Sequence, residues 1–549
     1  MTKETFIENV KKHKVAVTVI FCVLLMILCT LSIFVAGSNI CGDDLWFHCA
    51  RINGVAEAIK GGQFPIKYYN SWGNGGGCFS PIFYGDFFLI LPALFVLMGV
   101  PLGVSYYFFV YMLFFGLWLA MFFLAKKYLK HNIFSLICAT VFSLSQYVFV
   151  DIFKRAAIGE VLGFIFLIVM LIGIFNMLHE NYSKPWILSI AFVGLLFSHM
   201  TMLFVSAVIL VIVVLFNSKT LLKSKKFWLN SLFAIGLFLI VGLYSLASFL
   251  EMYFADVYQV SNPWTVPSQN SQDLLEILGI TTVYSMGIFS VLSFVLRLFI
   301  KKTDKNASDM KIVDKFLLVS AIVVLLVSKI FPWQLFDKLL AFLQFPWRLY
   351  TISSILLCLA LAIELKHIAN FNKKAVAVFV SCLAAFFFVY NNTVVPTFLP
   401  VRFETSVNTK LEWFPEKVNL EEIGKQKVRD EYGSVILHSR DEFSTSIRFE
   451  STKNSEYYVV PIIYYKGYSA TVTKENGETV KLNVRQSEDG MIIVETNGKT
   501  GDVVVCYSGT TIQHVTFLIS LVGSVVLAGG VIVVLILKKR KNKEKLIKK

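Results

Sequence analysis

The chain has 549 residues, of which 56% are hydrophobic and only 16% charged. An ordinary soluble protein, with roughly 45–50% apolar and about 25% charged residues, is excluded. The formal net charge of +15 does not point to nucleic acid, because the lysines and arginines gather in short stretches between apolar runs and in the tail 538–549, the distribution of cytoplasmic loops. This is the composition of a polytopic membrane protein.

Lys11, Lys12 and Lys14 precede an apolar run at 15–36. The run exceeds the h-region of a signal peptide and suits a retained signal-anchor helix with its N-terminus inside. Further apolar segments fall at 82–99, 103–125, 132–150, 156–178, 185–216, 227–250, 274–300, 312–331, 348–365, 374–395 and 512–537. If each crosses once, Lys126, Lys127 and Lys130 lie outside, against the charge rule. Every lysine cluster lies inside if 82–99, which carries Asp86 and Pro92, only dips in or lies at the interface. Segment 185–216 is then two short helices meeting outside at Ser198-His199-Met200-Thr201. This arrangement predicts about twelve crossings with both termini cytoplasmic.

The first outer loop, 37–81, opens with Gly42-Asp43-Asp44-Leu45-Trp46-Phe47-His48-Cys49-Ala50-Arg51. In a helix, Asp44, His48 and Arg51 share one face. Capping accounts for one aspartate. A second acid beside it, in phase with a histidine and an arginine at a membrane surface, is the pattern of an acid–base site. Gly73-Asn74-Gly75-Gly76-Gly77 with Lys67 nearby suits either a phosphate approached by backbone or a flexible loop. Tyr68, Tyr69 and Trp72 suit a headgroup belt or stacking on a sugar. Nine cysteines contain no CxxC pair, so no zinc or redox motif is present; Cys41, Cys49 and Cys78 share the loop and are close enough in sequence to pair.

Further on, Arg155 and Glu160 stand at the mouth of a helix pair, as a phosphate clamp and a second acid, or as a helix-end salt bridge. His199 joins two helices and reads as a packing residue or a ligand. Pro332 and Pro346 bracket an expected surface helix, followed by Arg348 at the start of a membrane helix. From 396 to 511 charged residues become frequent and short alternating runs read as strands: 457–460, 469–473, 491–496 and 503–507. Glu475-Asn476-Gly477-Glu478 and Thr496-Asn497-Gly498-Lys499 read as hairpin turns. The domain plan is thus a transmembrane domain at 1–395, an extracytoplasmic β-rich domain at 396–511, and a last helix with a basic tail at 512–549.

Several of these stretches together resemble one bacterial membrane family. They are Gly42, Asp44, His48 and Arg51, then Gly62-Gln63-Phe64-Pro65 and Phe83-Tyr84-Gly85, Arg155 with Glu160, His199, and Gln344-Phe345-Pro346-Trp347-Arg348. Leu411-Glu412-Trp413-Phe414-Pro415 and Tyr465-Lys466-Gly467-Tyr468 are similar to two later elements of it. The family is the YfhO-like proteins, also catalogued as "6-pyruvoyl-tetrahydropterin synthase-related", a label that nothing in this sequence supports as chemistry. It is similar in layout to the GT-C membrane glycosyltransferases.

That resemblance implies transfer of a sugar from a polyprenyl-phosphate carrier to an acceptor outside the cytoplasm: a glycan, a teichoic-acid-like polymer or a protein. It implies Asp44 as base, or as metal ligand if a divalent metal takes part, with Asp43 as an extra acid and Glu160 as a further catalytic candidate. His48, Arg51, Lys67, Arg155, His199 and Arg348 are then expected to bind the substrate or its lipid phosphate. No phosphate-binding GxxxxGK[ST] loop is present, which fits a reaction without ATP. Two rivals remain: a transporter or flippase of a lipid-linked sugar, and a non-catalytic envelope assembly protein.

Overall fold

The computed structural model describes residues 13–36, 42–394 and 412–547. Lys11, Lys12, Cys41, Leu411 and the expected domain boundary at 396 lie outside the described residues.

Uninterrupted apolar runs fold as helices, which satisfy their own backbone polar groups where no water can. Among the described residues, six helices are long and apolar enough to cross a membrane: Leu102–Leu129, Ile158–His179, Lys225–Tyr253, Pro346–Ala369, Lys373–Thr393 and Thr511–Gly530. Asn132–Leu144 and Gln146–Phe153 make a seventh as a pair bent by 54°. At the bend, the Ser145 hydroxyl donates to Phe142 O at 2.7 Å while its own backbone is extended, so a side chain competes with the helix ladder. Lys14–Cys29, Phe87–Leu97, Trp186–Leu196, Met200–Phe216 and Ile288–Phe299 are shorter apolar helices. By length and composition alone, the described residues thus hold six such helices, or seven with the bent pair.

Three expectations change. The run 132–150 is a broken helix, not a straight one. The run 274–300 is one turn, Leu274–Ile277, then irregular chain before Ile288–Ser290 and Val291–Phe299. Between Pro332 and Pro346 there is no surface helix but the short turns Trp333–Leu335 and Ala341–Leu343, interrupted where Gln344 takes a φ of +58°.

Both ends of the helices carry paired charges, with the lysines gathered at one of them. Lys127 Nζ lies 2.6 Å from Glu180 Oε1, Lys366 Nζ donates to Leu129 O at 3.1 Å, and His367 Nε2 is 2.9 Å from Asp309 Oδ2. The helices Ile158–His179 and Tyr350–Ala369 have these lysine-rich contacts at their C-terminal ends. Their N-terminal ends, about 30 Å away, carry Glu160 and Arg348.

At that second end lies an all-antiparallel sheet of β1 (Val428–Asp430), β2 (Val435–Ile436), β3 (His438–Arg440), β4 (Ile447–Ser451), β5 (Tyr457–Ile463), β6 (Tyr468–Thr473), β7 (Thr479–Gln486), β8 (Met491–Glu495) and β9 (Gly501–Tyr507). The order is β2-β1-β5-β8-β7-β6-β9-β4-β3. Strand β7 joins the halves, pairing with β6 through Thr479–Leu482 and with β8 through Asn483–Gln486. The turn at Gly477 closes the β6–β7 hairpin as expected. The turn at Asn497-Gly498 forms, with Lys499 N–H on Thr496 O at 3.0 Å, but it closes no hairpin: β8 and β9 lie in different halves.

The sheet is seated on the chain between 61 and 79. Ile463 N–H donates to Gly76 O at 2.9 Å, Asn70 Nδ2 to Glu442 O at 2.8 Å and Asn74 Nδ2 to Leu420 O at 2.7 Å. Phe79 packs between Tyr465 and Tyr507, with ring centroids at 4.3 and 4.5 Å. A Cβ on Gly76 would lie 2.8 Å from Ile423. The glycine-rich stretch is therefore neither a phosphate cradle nor a loose loop but a surface kept bare for close packing. Tyr68, Tyr69 and Trp72 are buried too, Tyr68 against Tyr507 of the sheet and Tyr69 against Trp72, and none of the three lines the cavity at this end.

Candidate active site

Two chain segments far apart in sequence lie side by side at this end. Asp43 N–H donates to Lys154 O at 3.0 Å and Asp44 N–H to Arg155 O at 2.9 Å. Contact is so close that a Cβ on Gly42 would fall 2.4 Å from the Cβ of Ala156, so only glycine fits. Asp44 then occupies the N-cap position of the helix Leu45–Lys60, yet its side chain makes no capping bond. Capping does not account for it.

The two acids differ in company. Asp43 is held by Lys154 Nζ at 3.0 Å and by the Tyr284 hydroxyl. Asp44 has no side-chain hydrogen bond or ion pair among the described residues, and it faces a cavity of about 1210 Å³. Burial pushes its carboxyl above the usual range, outweighing the opposing pull of Arg155 and Arg348.

Those two arginines line the same cavity. Glu160 Oε2 accepts from Arg155 Nη1 at 2.5 Å and from Arg348 Nε at 3.1 Å, while Glu160 Oε1 accepts from the Tyr147 hydroxyl at 3.0 Å. Arg155 also reaches Asp151 at 2.6 Å and lies over the Trp347 ring at 4.8 Å. Arg348 Nη1 donates to Leu343 O at 2.8 Å. Both guanidinium groups are thereby oriented, and both line the cavity. Glu160 itself does not; it is 1% exposed behind them.

His48 and His199 line the cavity too. Burial, with Arg51, His199 and Arg155 nearby, holds His48 well below the usual histidine range, so it is neutral. Arg51 shares the helix face with His48, as the spacing predicts, but its end turns away from the cavity. Its Nε donates to Asp86 Oδ1 at 2.8 Å and its Nη2 to Gly85 O at 3.0 Å. Asp86 also accepts from the Tyr69 hydroxyl, closing a fully buried cluster. Lys67 does not reach the cavity either: its Nζ lies 5.8 Å from the Tyr507 ring centroid, against the β-sheet. Cys49 and Cys78 are free and buried, so they form no disulfide.

Asp44, Asp43, His48, Arg155, His199 and Arg348 thus meet in one cavity, Glu160 stands behind it, and Arg51 and Lys67 stand elsewhere. Sequence reasoning missed Tyr284 and Lys338 on the cavity wall, and Tyr147 and Asp151 behind it. Asp151 carried a signal, being four residues before Arg155 at the end of an apolar run; Tyr284, in irregular chain, carried none. Among the described residues no group of three or more His, Cys, Asp or Glu is placed to hold a metal ion, so the donor set does not fit a metal centred on Asp44.

A helical membrane protein with an ionic, aromatic-walled cavity at one end and a β-sheet seated beside it is the class that fold and site define. No family model and no curated protein matches the chain. Among solved structures it is similar to the arabinofuranosyltransferase AftD from Mycobacteria, at 16% identity over 68% of this chain and 26% of that one, with a TM-score of 0.44. It is also similar to the oligosaccharyltransferase AglB from Archaeoglobus fulgidus in complex with an inhibitory peptide and a dolichol-phosphate. There the identity is 12% over 72% of this chain and 57% of that one, with a TM-score of 0.37. The chain spans about a quarter of the first and little more than half of the second.

Proposed function

We propose that this protein is a membrane glycosyltransferase of the GT-C type and a YfhO-like family member. It moves a sugar from a polyprenyl-phosphate carrier to an extracytoplasmic acceptor. The observation that carries the reading is Asp44: a carboxylate with no side-chain partner among the described residues, facing a cavity that two oriented guanidinium groups also line. A group poised to take a proton and cations poised to hold a leaving phosphate are the two needs of glycosyl transfer from a lipid phosphate.

Asp44 takes the proton of the acceptor hydroxyl. The acceptor oxygen bonds to the anomeric carbon from the face opposite the leaving group, the carbon–oxygen bond to the phosphate breaks, and the phosphate departs with the electron pair toward Arg155 and Arg348. The anomeric centre is inverted. Asp43, tied to Lys154 and Tyr284, shapes the wall, and Glu160 positions the arginines. The lysine-rich helix ends are cytoplasmic in this reading, with about twelve traverses if Phe87–Leu97 does not cross and Ala307–Val327 and the other shorter apolar helices do, and the cavity faces outward. The acceptor is a glycan, a teichoic-acid-like polymer or a protein.

The test is the purified full chain supplied with a polyprenyl-phosphate sugar and a hydroxyl acceptor. Asp44→Asn is expected to lower release of polyprenyl phosphate by about 10²–10⁴-fold, the usual worth of a general base. Asp43→Asn is expected to lower it less than tenfold. If both variants release it at the wild-type rate, the catalytic reading fails, and movement of the intact lipid-linked sugar across vesicles becomes the measurement to make.

A further inference from the structure

His48 lies in the helix Leu45–Lys60 and is 2% exposed; His199 is the N-cap of Met200–Phe216 and is 7% exposed. A neutral imidazole offers a lone pair at one ring nitrogen and an N–H at the other, and the partner of the first decides which is which. At His48, Nδ1 stands 3.2 Å from Arg51 Nη1. A guanidinium has only N–H groups to offer, and Arg51 is itself tied to Asp86 and to Gly85 O. His48 Nδ1 is therefore the acceptor, and the proton sits on Nε2. At His199, Nδ1 accepts from the Met202 N–H at 3.3 Å, and again the proton is left on Nε2. Neither Nε2 has a protein partner among the described residues, neither is among the buried polar atoms left without one, and both residues line the cavity.

We infer that His48 and His199 are fixed as neutral Nε2–H donors to a phosphate oxygen of the bound substrate, and that neither serves as a ligand of a divalent metal ion. Coordination through Nε2 needs the lone pair there. Reversing the tautomer would set an Nδ1–H against the Arg51 N–H in one residue and the Met202 N–H in the other. With Arg155 and Arg348, the two imidazoles give the cavity four donor groups and no histidine lone pair. The identity of the phosphate rests on the lipid-phosphate reading above; the tautomers do not.

The experiment uses the full chain in detergent, labelled with 15N-histidine, with signals assigned by their loss in His48→Gln and His199→Gln. At pH 7 both residues are expected as Nε2–H tautomers, unbroadened by added Mn2+. Binding of farnesyl phosphate, a short polyprenyl phosphate, is expected to weaken roughly tenfold or more in His48→Leu and His199→Leu, the worth of a hydrogen bond to a charged oxygen. It should stay within about threefold in the Gln variants, whose amide N–H stands in for Nε2–H. An Nδ1–H tautomer, broadening of either signal by Mn2+, or equal loss in the Gln and Leu variants overturns the histidine assignment while wild-type binding keeps the lipid-phosphate reading standing. No binding of farnesyl phosphate by the wild type overturns that reading and the phosphate role together, even with both tautomers as stated.

Discussion

Arg155 and Arg348 meet on a single oxygen, Glu160 Oε2, at 2.5 and 3.1 Å. One comes from the turn before the helix Ile158–His179 and the other from the turn before Tyr350–Ala369, so Glu160 fastens two helix mouths as well as two charges. Removing one member of a buried ion cluster leaves the others uncompensated and costs about 3–5 kcal/mol. Glu160→Gln is therefore expected to lower thermal stability by about 3 kcal/mol and to raise KM for the lipid-linked sugar. Unfolding in detergent, followed by tryptophan fluorescence, measures the first. A variant as stable as the wild type would show that the cluster does not join the helices.

Asp44 is expected to show opposite effects on stability and activity. Burial raises its carboxyl above the value of 3.8 it has when unfolded, so the fold favours the neutral form. Its favourable contribution is fully present below pH 3.8 and is lost as pH rises through the raised folded value. At neutral pH its ionisation costs stability. Asp44→Asn removes that cost, and is expected to unfold at a temperature about 1–3 °C higher than the wild type while losing transfer activity. The wild-type rate should itself rise with pH through the raised value, because the base acts only when deprotonated. A less stable Asp44→Asn would mean that the carboxylate is held by a partner after all.

Much of the frame was legible because apolar length and lysine placement act on every residue of a segment. The pairing of 185–216 as Trp186–Leu196 and Met200–Phe216 around His199 is of that kind. The bend at Ser145 was not, since a single hydroxyl bond decides it. In the site, the phase of His48 and Arg51 brings their side chains together at 3.2 Å, while Asp44 stands just before the helix; phase says nothing of distant partners. Asp86 captures Arg51, and Lys154 with Tyr284 captures Asp43. The glycine-rich loop misled for a physical reason: bare backbone suits a phosphate and a packed sheet equally well, and the β-sheet occupies it here.

The Arg51–Asp86 pair predicts a different signature. It is fully buried, with Tyr69 and Gly85 completing its bonds, and it backs the cavity wall through His48, Phe47 and Tyr84. Asp86→Asn is expected to destabilise the protein by about 3 kcal/mol, as loss of one buried partner does. The pair replaced together by Arg51→Met and Asp86→Leu should recover most of that, because neither charge is then left alone. Chemical or thermal unfolding of the three proteins decides it. A double variant no better than Asp86→Asn would mean that the geometry of the hydrogen-bonded cluster matters more than its charge balance.

Orientation in the membrane is testable at exposed positions. Glu160 is a poor reporter because it is buried beneath two arginines. Leu339, 73% exposed on the cavity end, and Lys130, exposed where the helix Leu102–Leu129 stops at the other end, are better ones. The background variant replaces Cys382 and Cys506 with Ser, since these are the cysteines that are not buried among the described residues, and Cys41 with Ser, since the sequence places it in the same outer loop as Asp44. In intact cells a membrane-impermeant maleimide is expected to label Leu339→Cys and to leave Lys130→Cys untouched until lysis, since lysine-rich ends stay in the cytoplasm. The reverse pattern would place the cavity and its sheet inside the cell, where the proposed extracytoplasmic acceptor cannot reach Asp44.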